Sequence, residues 1–230
     1  MKNYIIIIFV LCGILLVGCD DRGSDNPEMT VTATGQYGNY VFNKRGFNEM
    51  EFVFQLEGPQ SKITNQRISV DITNNMGNFI GSGFNNSVVT NEKGRAEGTY
   101  IARESGYGTA NILFVLETWP KEKDLFNIPI RDFPRLDSLS AGANTLPADG
   151  LSQTAITAQI NCDDDTYEDI KVLFSSSHGA IADPVVQVDP FGFATTTFTA
   201  PLTSGTIAIT AKLELDPGIY KRILIECETP

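Results

Sequence analysis

The sequence has 230 residues, of which 28 are acidic and 17 basic, giving a formal net charge of −11 at pH 7. This balance disfavours nucleic-acid binding, which depends on Lys and Arg side chains that neutralise phosphates. The single histidine, His178, excludes a zinc-protease motif, and no Gly-x-Ser-x-Gly nucleophile motif occurs. We therefore expect a protein without enzymatic activity.

The first 18 residues have the features of a secretory signal peptide. Lys2 precedes an apolar run at 4–17, which is shorter than the ~20 apolar residues that a membrane-spanning helix needs. The run ends in Leu-Val-Gly-Cys at 16–19, which resembles the lipobox of bacterial lipoproteins. That resemblance implies cleavage before Cys19 and acylation of Cys19, so that a covalent lipid anchors the protein in a membrane. An ordinary signal peptide or a short membrane anchor is the alternative interpretation.

Residues 19–27 predict a short flexible tether, because they are polar and contain Gly, Ser, Asn and Pro. Together with the lipobox, this tether indicates a lipid-anchored protein of the bacterial cell envelope. We expect it at the outer membrane, either on the periplasmic face or at the cell surface.

The rest of the chain contains an internal repeat. Three pairs of segments match in order: ISVDITNNMG at 68–77 with IKVLFSSSHG at 170–179 (offset 102), GRAEGTYIA at 94–102 with GFATTTFTA at 192–200 (offset 98), and GTANI at 108–112 with GTIAI at 205–209 (offset 97). Because order and spacing are kept, each copy is one structural unit. We predict domains at 28–131 and 135–230, joined by a linker at 132–134.

Each copy predicts an all-β sandwich. Short runs of alternating apolar residues are separated by Gly, Pro, Asn and Asp turns. Phe52, Phe54 and Leu56 share one strand face, and one buried face per strand requires two sheets packed face to face. We predict seven strands per copy, at 29–36, 48–57, 66–73, 87–90, 95–103, 109–118 and 125–131, and at 135–141, 152–162, 169–176, 185–189, 193–200, 206–214 and 219–227.

Three motifs characterise the second copy: Leu-Pro-Ala-Asp-Gly at 146–150, an Asp-x-x-Gly-x-Ala turn at 189–194 and Ser-Gly-Thr at 204–206. With them, residues 135–227 resemble the bacterial immunoglobulin-like domain of invasin and intimin type. The first copy keeps TNEKGRA and GYGTANI but lacks the Pro-Ala-Asp-Gly element. The resemblance implies two tandem immunoglobulin-like β-sandwiches, used as a rod segment or adhesion module at bacterial surfaces, with no catalytic residues.

An acidic run, Cys-Asp-Asp-Asp-Thr-Tyr-Glu-Asp at 162–169, follows the second predicted strand of the second copy. In an immunoglobulin-like topology, this loop lies at the end where the chain enters the domain. Calcium takes roughly six to eight oxygen ligands. The candidate calcium ligands are therefore Asp132, Asp163, Asp164, Asp165 and Asp189. The alternative is a solvated loop, since no regular Asp-x-Asp-x-Asp spacing occurs. No other cofactor is predicted.

Trp119, the only tryptophan, lies in the turn between the sixth and seventh predicted strands, and Tyr107 is near it in sequence. If exposed, the two aromatic side chains would suit stacking on a sugar ring or a position in a membrane interface. If buried, Trp119 would close the end of the sandwich. Lys121 and Lys123 in the same turn are predicted to face the tether and the lipid headgroups.

Cys162 and Cys227 remain once Cys12 leaves with the signal peptide and Cys19 is acylated. An oxidising compartment favours a disulfide between them. The predicted topology opposes it, because the two residues end strands at opposite ends of the sandwich. An eight-residue strand spans ~26 Å, whereas a disulfide needs Cα atoms within ~7 Å. We therefore predict two separate, partly buried thiols.

These features predict a non-enzymatic, lipid-anchored envelope protein whose domains act as an adhesion, assembly or spacer module. The alternative is an accessory glycan-binding lipoprotein of an outer-membrane uptake system, which an exposed Trp119 beside tyrosine side chains would favour. The membrane is the predicted partner of the acyl anchor, and the sequence leaves open whether a protein or a glycan binds the domains.

Overall fold

The computed structural model describes residues 26–83 and 86–229. Two compact units divide the chain, with unit 1 ending at Asp132 and unit 2 beginning at Phe133. This boundary falls within the segment 132–134 that the sequence predicts as a linker. The predicted signal peptide and Cys19 lie outside the described residues.

Unit 1 consists of short strands and one single-turn helix. These elements are β1 (Glu28–Gly35), β2 (Val41–Phe42), β3 (Glu49–Glu57), α1 (Gln60–Ile63), β4 (Arg67–Ile72), β5 (Gly77–Gly81), β6 (Ser87–Val89), β7 (Arg95–Ala102), β8 (Gly108–Leu116) and β9 (Lys123–Arg131). They form sheet 1A, with the order β1-β3-β7-β5, and sheet 1B, with the order β2-β9-β8-β4-β6.

Unit 2 repeats this arrangement without the helix. Its strands are β10 (Arg135–Ala141), β11 (Thr145–Pro147), β12 (Gln153–Asn161), β13 (Lys171–Ser176), β14 (Ala180–Ile181), β15 (Val185–Gln187), β16 (Phe193–Thr199), β17 (Gly205–Leu213) and β18 (Tyr220–Glu228). Sheet 2A has the order β10-β12-β16-β14, and sheet 2B has the order β11-β18-β17-β13-β15. Every strand of one unit thus has a counterpart at the same sheet position in the other, which confirms the internal repeat.

The alternation that predicts the sandwiches also determines their cores. Phe52, Phe54 and Leu56 are all 0% exposed on the inner face of β3, while the neighbouring positions point outward. In unit 2, β12 buries Ile156, Ala158 and Ile160 in the same way. Side chains from both sheets of each unit meet in one hydrophobic cluster, so the prediction of two face-to-face sheets is confirmed.

The count of seven strands per copy is wrong, because each unit has two further short strands. In unit 1 these are β2, which pairs in parallel with β9, and β5, which pairs with β7. Their counterparts in unit 2 are β11 and β14. Strands of two or three residues are too short to show alternation, and β5 carries a glycine at each end. The single-turn helix α1 is equally too short for a helical period to appear.

One segment of the sequence repeat is displaced by two residues. Ile68 pairs with Leu116 in unit 1, and in unit 2 it is Val172 that pairs with the corresponding Leu213. The strand pairing therefore equates Ile68 with Val172, whereas the sequence match equates it with Ile170. A shift of two residues keeps each side chain on the same face of its strand, so the predicted buried faces remain correct.

The turn before β7 and the turn before β16 place a glycine in the same left-handed conformation. Gly94 has φ +73° and Gly192 has φ +85°. A Cβ atom at either glycine would lie 2.5 Å from a backbone carbonyl oxygen, that of Leu56 or of Ile160. The predicted need for glycine at these two turns is thus confirmed by backbone conformation and by close approach.

Candidate functional site

The acidic loop of unit 2 is held by an ion pair to β10 and by hydrogen bonds within the loop. Asp163 forms an ion pair with Arg135 at the start of β10. Asp164 accepts a hydrogen bond from the N–H of Thr166 at 3.1 Å, and the N–H of Asp165 donates to the Cys162 carbonyl oxygen at 3.1 Å. These contacts give the loop a defined turn structure, so it is not simply an extended chain of repelling charges.

The remaining predicted calcium ligands, Asp189 and Asp132, accept hydrogen bonds from backbone and side-chain donors. Asp189 accepts hydrogen bonds from the N–H groups of Phe191 and Phe193, both at 2.9 Å, and so shapes the turn before β16. Asn91 does the same in unit 1, where it accepts from Lys93 and Arg95. Asp132 accepts a hydrogen bond from the side-chain amide of Asn43 at 2.9 Å.

The carboxylates are therefore distributed among separate turns. Across residues 26–83 and 86–229, no group of three or more Asp, Glu, His or Cys side chains is arranged to hold a metal ion. The convergence of carboxylates on which the calcium prediction depends is absent from these described residues, and calcium binding itself stays a prediction.

Asp149, in the Leu-Pro-Ala-Asp-Gly motif, organises the turn that leads into β12. Its carboxylate accepts hydrogen bonds from the N–H groups of Ser152 at 2.7 Å and Leu151 at 2.8 Å, and from the Ser152 hydroxyl at 2.8 Å. These donors, the Ser152 N–H first, hold the pKa of Asp149 below its usual value. The motif that carries the family resemblance thus has a structural function in the turn.

Trp119 lies in the turn between β8 and β9 and packs against the core of unit 1. The side chain is half-buried and contacts the hydrophobic cluster that also includes Phe126 as a partly buried member. Hydrogen bonds from the N–H of Trp119 to the Leu116 carbonyl and from the N–H of Glu122 to the Trp119 carbonyl close this turn. This arrangement matches the interpretation of Trp119 as a residue that closes one end of the sandwich.

Tyr107 does not share a surface with Trp119, so the predicted aromatic pair is wrong. Tyr107 immediately precedes β8, whereas Trp119 follows its last residue. Nine residues of strand separate the two ends by about 30 Å. Tyr107 is 49% exposed at the end of unit 1 where Gly108 pairs with Ile130. Nearness in sequence did not predict nearness in space here, because an extended strand maximises the distance between the residues that flank it.

The outer face of sheet 2A is a surface that the sequence analysis did not identify. The outward side chains of its central strands are uncharged: Gln153, Ala155, Thr157 and Gln159 on β12, and Phe193, Thr195, Thr197 and Thr199 on β16. The Thr157 and Thr195 hydroxyls lie 3.1 Å apart, and Gln153 donates to Thr199 at 3.2 Å. The equivalent face of β3 in sheet 1A carries Glu49, Glu51 and Glu57. The sequence signal for this surface was the recurrence of Thr and Gln at alternate positions of β12 and β16.

A second feature missed from the sequence is a packed aromatic cluster in the segment between β1 and β3. The ring of Tyr37 lies 5.1 Å from that of Phe42 and 6.1 Å from that of Phe47. The guanidinium of Arg131 lies 3.8 Å from the centre of the Tyr40 ring, within the range of a cation–π contact. These contacts fix the short strand β2 against β9.

His178 is exposed in the turn between β13 and β14. The neighbouring serine hydroxyls bond to the backbone: Ser176 donates to the Gly179 carbonyl at 3.5 Å, and Ser177 accepts from the Ala208 N–H at 3.0 Å. A hydrolytic triad requires a serine hydroxyl that bonds to the imidazole. The geometry thus gives these serines a structural function.

No protein-family model and no curated protein sequence matches this chain. Among solved structures, the Escherichia coli adhesin FdeC is similar over 89% of this chain and 65% of that structure, with 11% identity and a TM-score of 0.57. A C-terminal fragment of intimin, solved in complex with the intimin-binding domain of its receptor Tir, aligns over 88% of this chain and 63% of its own length, with 13% identity and a TM-score of 0.47.

The Yersinia pseudotuberculosis adhesin InvE aligns over 90% of this chain and 62% of its own length, with 14% identity and a TM-score of 0.41. At these identities the similarity concerns the fold. Together with the two matching pairs of sheets, the similarity to FdeC defines the protein as a tandem of immunoglobulin-like β-sandwiches. The all-β, two-sandwich prediction is confirmed.

Proposed function

We propose that this protein is a non-enzymatic, lipid-anchored protein of the bacterial cell envelope, located at the outer membrane, whose two immunoglobulin-like units form an adhesion or assembly module. The observation that carries the proposal is the tandem repetition of one sandwich topology, a fold shared with the solved structure of the adhesin FdeC. Fold similarity alone leaves the binding partner open, so the choice among adhesion, assembly and spacing depends on surfaces.

The uncharged outward positions of β12 and β16, the central strands of sheet 2A, support recognition over simple spacing. Burying a charged side chain against a partner requires its desolvation, which is costly unless the charge is paired. In a chain with a net charge of −11, the outer positions of β12 and β16 avoid that cost. A spacer does not require such a surface.

A photo-crosslinking experiment tests this proposal in the native host. A photoreactive amino acid replaces Thr195, which is exposed on β16, and in a matched variant it replaces Thr206, which is exposed on β17 in sheet 2B. We expect a covalent adduct from position 195 and none from position 206. If neither position forms an adduct, the units act as a spacer and the recognition proposal fails.

The lipid anchor is tested separately. Cys19→Ala should abolish labelling by a radioactive fatty acid and release the protein from the membrane fraction. If the variant still sediments with membranes after a high-salt wash, the lipobox interpretation is wrong. A Cys12→Ala variant is the matched control, because it changes a cysteine within the predicted signal peptide and should leave acylation intact.

The glycan-binding alternative lacks the observation that would favour it. It depended on an exposed Trp119 beside tyrosine side chains, whereas Trp119 packs against the core and Tyr107 lies at the other end of β8. The adhesion or assembly proposal therefore stands as the function that the geometry supports best.

A further inference from the structure

One end of unit 1 gathers the first described residues, α1, and the loops at 58–66, 90–94 and 117–122, and we refer to it as the tether end. Gly58 lies against Pro27, immediately before β1. Thr118 donates a hydrogen bond to the Gln66 side chain at 2.9 Å, and Thr64 donates to the Glu92 carbonyl at 3.4 Å. All three loops are therefore in contact at the place where the chain leaves the predicted tether.

The charge of this end differs from that of its counterpart in unit 2. The three loops of the tether end carry three lysines and three glutamates, which balance: Lys62, Lys93, Lys121, Glu92, Glu117 and Glu122. The loops between the corresponding strands of unit 2, at 162–170, 188–192 and 214–219, carry eight acidic side chains and no basic one. The loops at the tether end of unit 1 thus carry no net charge, whereas the corresponding loops of unit 2 would repel a negatively charged surface.

Trp119 is the second feature that distinguishes the turn at 117–122 from its counterpart in unit 2. The equivalent turn of unit 2, at 214–219, contains no aromatic residue. Trp119 is half-buried against the core, and an indole ring that is apolar on one side and hydrated on the other suits the boundary between headgroups and acyl chains. Lys121 and Lys123 are exposed beside it, and neither forms an ion pair within the described part of the chain.

The length of the tether limits the distance between this end and the membrane. Nine residues, 19–27, precede β1, and even fully extended they span only about 30 Å. A flexible chain of that length has a typical end-to-end distance of about 17 Å. An acyl chain on Cys19 would therefore keep the tether end at a high local concentration relative to the lipid surface, so that weak contacts suffice to hold it there.

We propose that the tether end of unit 1 rests on the membrane surface, with Trp119 at the level of the headgroups and Lys121 and Lys123 facing their phosphate groups. The proposal rests on the lipid anchor at Cys19 that is part of the proposed function. The partner is a lipid surface that includes anionic headgroups, because each lysine near such a surface favours the docked orientation by a factor of about five.

The single tryptophan makes the test direct. The acylated protein, which by this prediction begins at Cys19, is reconstituted into vesicles of phosphatidylethanolamine and phosphatidylglycerol, with or without lipids brominated near the headgroup. Bromine quenches indole emission over a short distance, so we expect Trp119 fluorescence to fall in the brominated vesicles. The matched control carries Trp119→Phe and Tyr107→Trp, which moves the reporter to the opposite end of β8, about 30 Å away, and should show little quenching.

Each outcome has a defined meaning. If the protein sediments with the vesicles but Trp119 is not quenched, or is quenched no more than the Tyr107→Trp reporter, the membrane-resting orientation is wrong while the anchor stands. If the protein does not sediment with the vesicles, the anchor itself is wrong. Lys121→Glu with Lys123→Glu should reduce the quenching of Trp119 without changing the circular dichroism spectrum, and unchanged quenching would contradict the role of the lysines.

Discussion

Phe114 is the central ring of the unit 1 core, and its replacement by alanine tests how that core is packed. Its side chain is 0% exposed. Ring centres of four other phenylalanines surround it, at 4.9 Å (Phe54), 5.0 Å (Phe52), 5.7 Å (Phe126) and 5.8 Å (Phe79). These separations lie in the range preferred by interacting aromatic pairs.

The expected loss follows from burial and from these contacts. Phe→Ala changes in protein cores lower the free energy of unfolding by about 3–5 kcal/mol. Because Phe114 contacts four rings and is completely buried, we place Phe114→Ala near the upper limit, at about 5 kcal/mol. A small domain has a total stability of about 5–15 kcal/mol, so the variant loses a large share of it.

The assay is urea unfolding followed by tryptophan fluorescence. Trp119 is the only tryptophan and packs against this same core, so its emission reports on unit 1. With an unfolding slope of about 2 kcal/mol per molar urea, Phe114→Ala should lower the midpoint by about 2.5 M. Phe114→Leu, which keeps most of the volume, should cost about 1.5 kcal/mol and remain measurable if the alanine variant is unfolded in buffer.

The matched control is Phe126→Ala. Phe126 contacts two of the same rings, Phe52 at 5.3 Å and Phe114 at 5.7 Å, but is only partly buried. It should therefore cost clearly less than Phe114→Ala. The reasoning is refuted if Phe114→Ala costs under about 3 kcal/mol, the lower limit for such core truncations, or if the two alanine variants are equally destabilised.

Three further results are expected. Hydrogen bonds to the carboxylate lower the pKa of Asp149 in the folded state, so the ionised carboxylate stabilises the fold fully above the usual pKa of 3.8, and this stabilisation is lost as the pH falls below that value. Asp149→Asn should therefore lower the melting temperature at pH 7. If the melting temperatures of the variant and the unchanged protein differ by the same amount at pH 2, the prediction is contradicted. If calcium binds at the predicted acidic residues, millimolar calcium should raise the melting temperature and Asn substitutions at 163–165 should abolish the rise, because a ligand that binds only the folded state stabilises it. An unchanged melting temperature would contradict the calcium prediction. Non-reducing mass spectrometry of protein from its native host should find Cys162 and Cys227 as separate thiols. Cys227 should be alkylated slowly, because burial raises the pKa of its thiol. A disulfide between the two cysteines would contradict the observed strand pairing.

The cysteines illustrate what topology alone could establish in advance. Cys162 directly follows β12, at the end of unit 2 where Asn161 pairs with Arg135. Cys227 pairs with Gly205 at the start of β17, while the other end of β17 pairs with β13. Both cysteines are buried, and neither forms a disulfide bond in the structure. The antiparallel order of strands, which follows from the family resemblance, was sufficient to separate them.

Local pattern determined much of the fold. The alternation of Phe52, Phe54 and Leu56 identified a buried strand face, because side chains along a strand point to opposite sides with a period of two. The glycines at 94 and 192 identified matching turns, because those turns require a positive φ. Such patterns depend only on residues that are neighbours in the sequence, so they can be recognised in one sequence by itself.

The tertiary structure decided which residues share a surface. Tyr107 and Trp119 are close in sequence but lie at opposite ends of β8. Asp163 pairs with Arg135 on β10, whereas Asp189 accepts hydrogen bonds within its own turn. Within the described residues, no helix has the length and apolar character that crossing a bilayer requires. The sequence by itself determined the two sandwiches and their buried faces. The placement of Thr157 beside Thr195, and of the three loops at the tether end, came from pairing between strands distant along the chain, which local pattern does not encode.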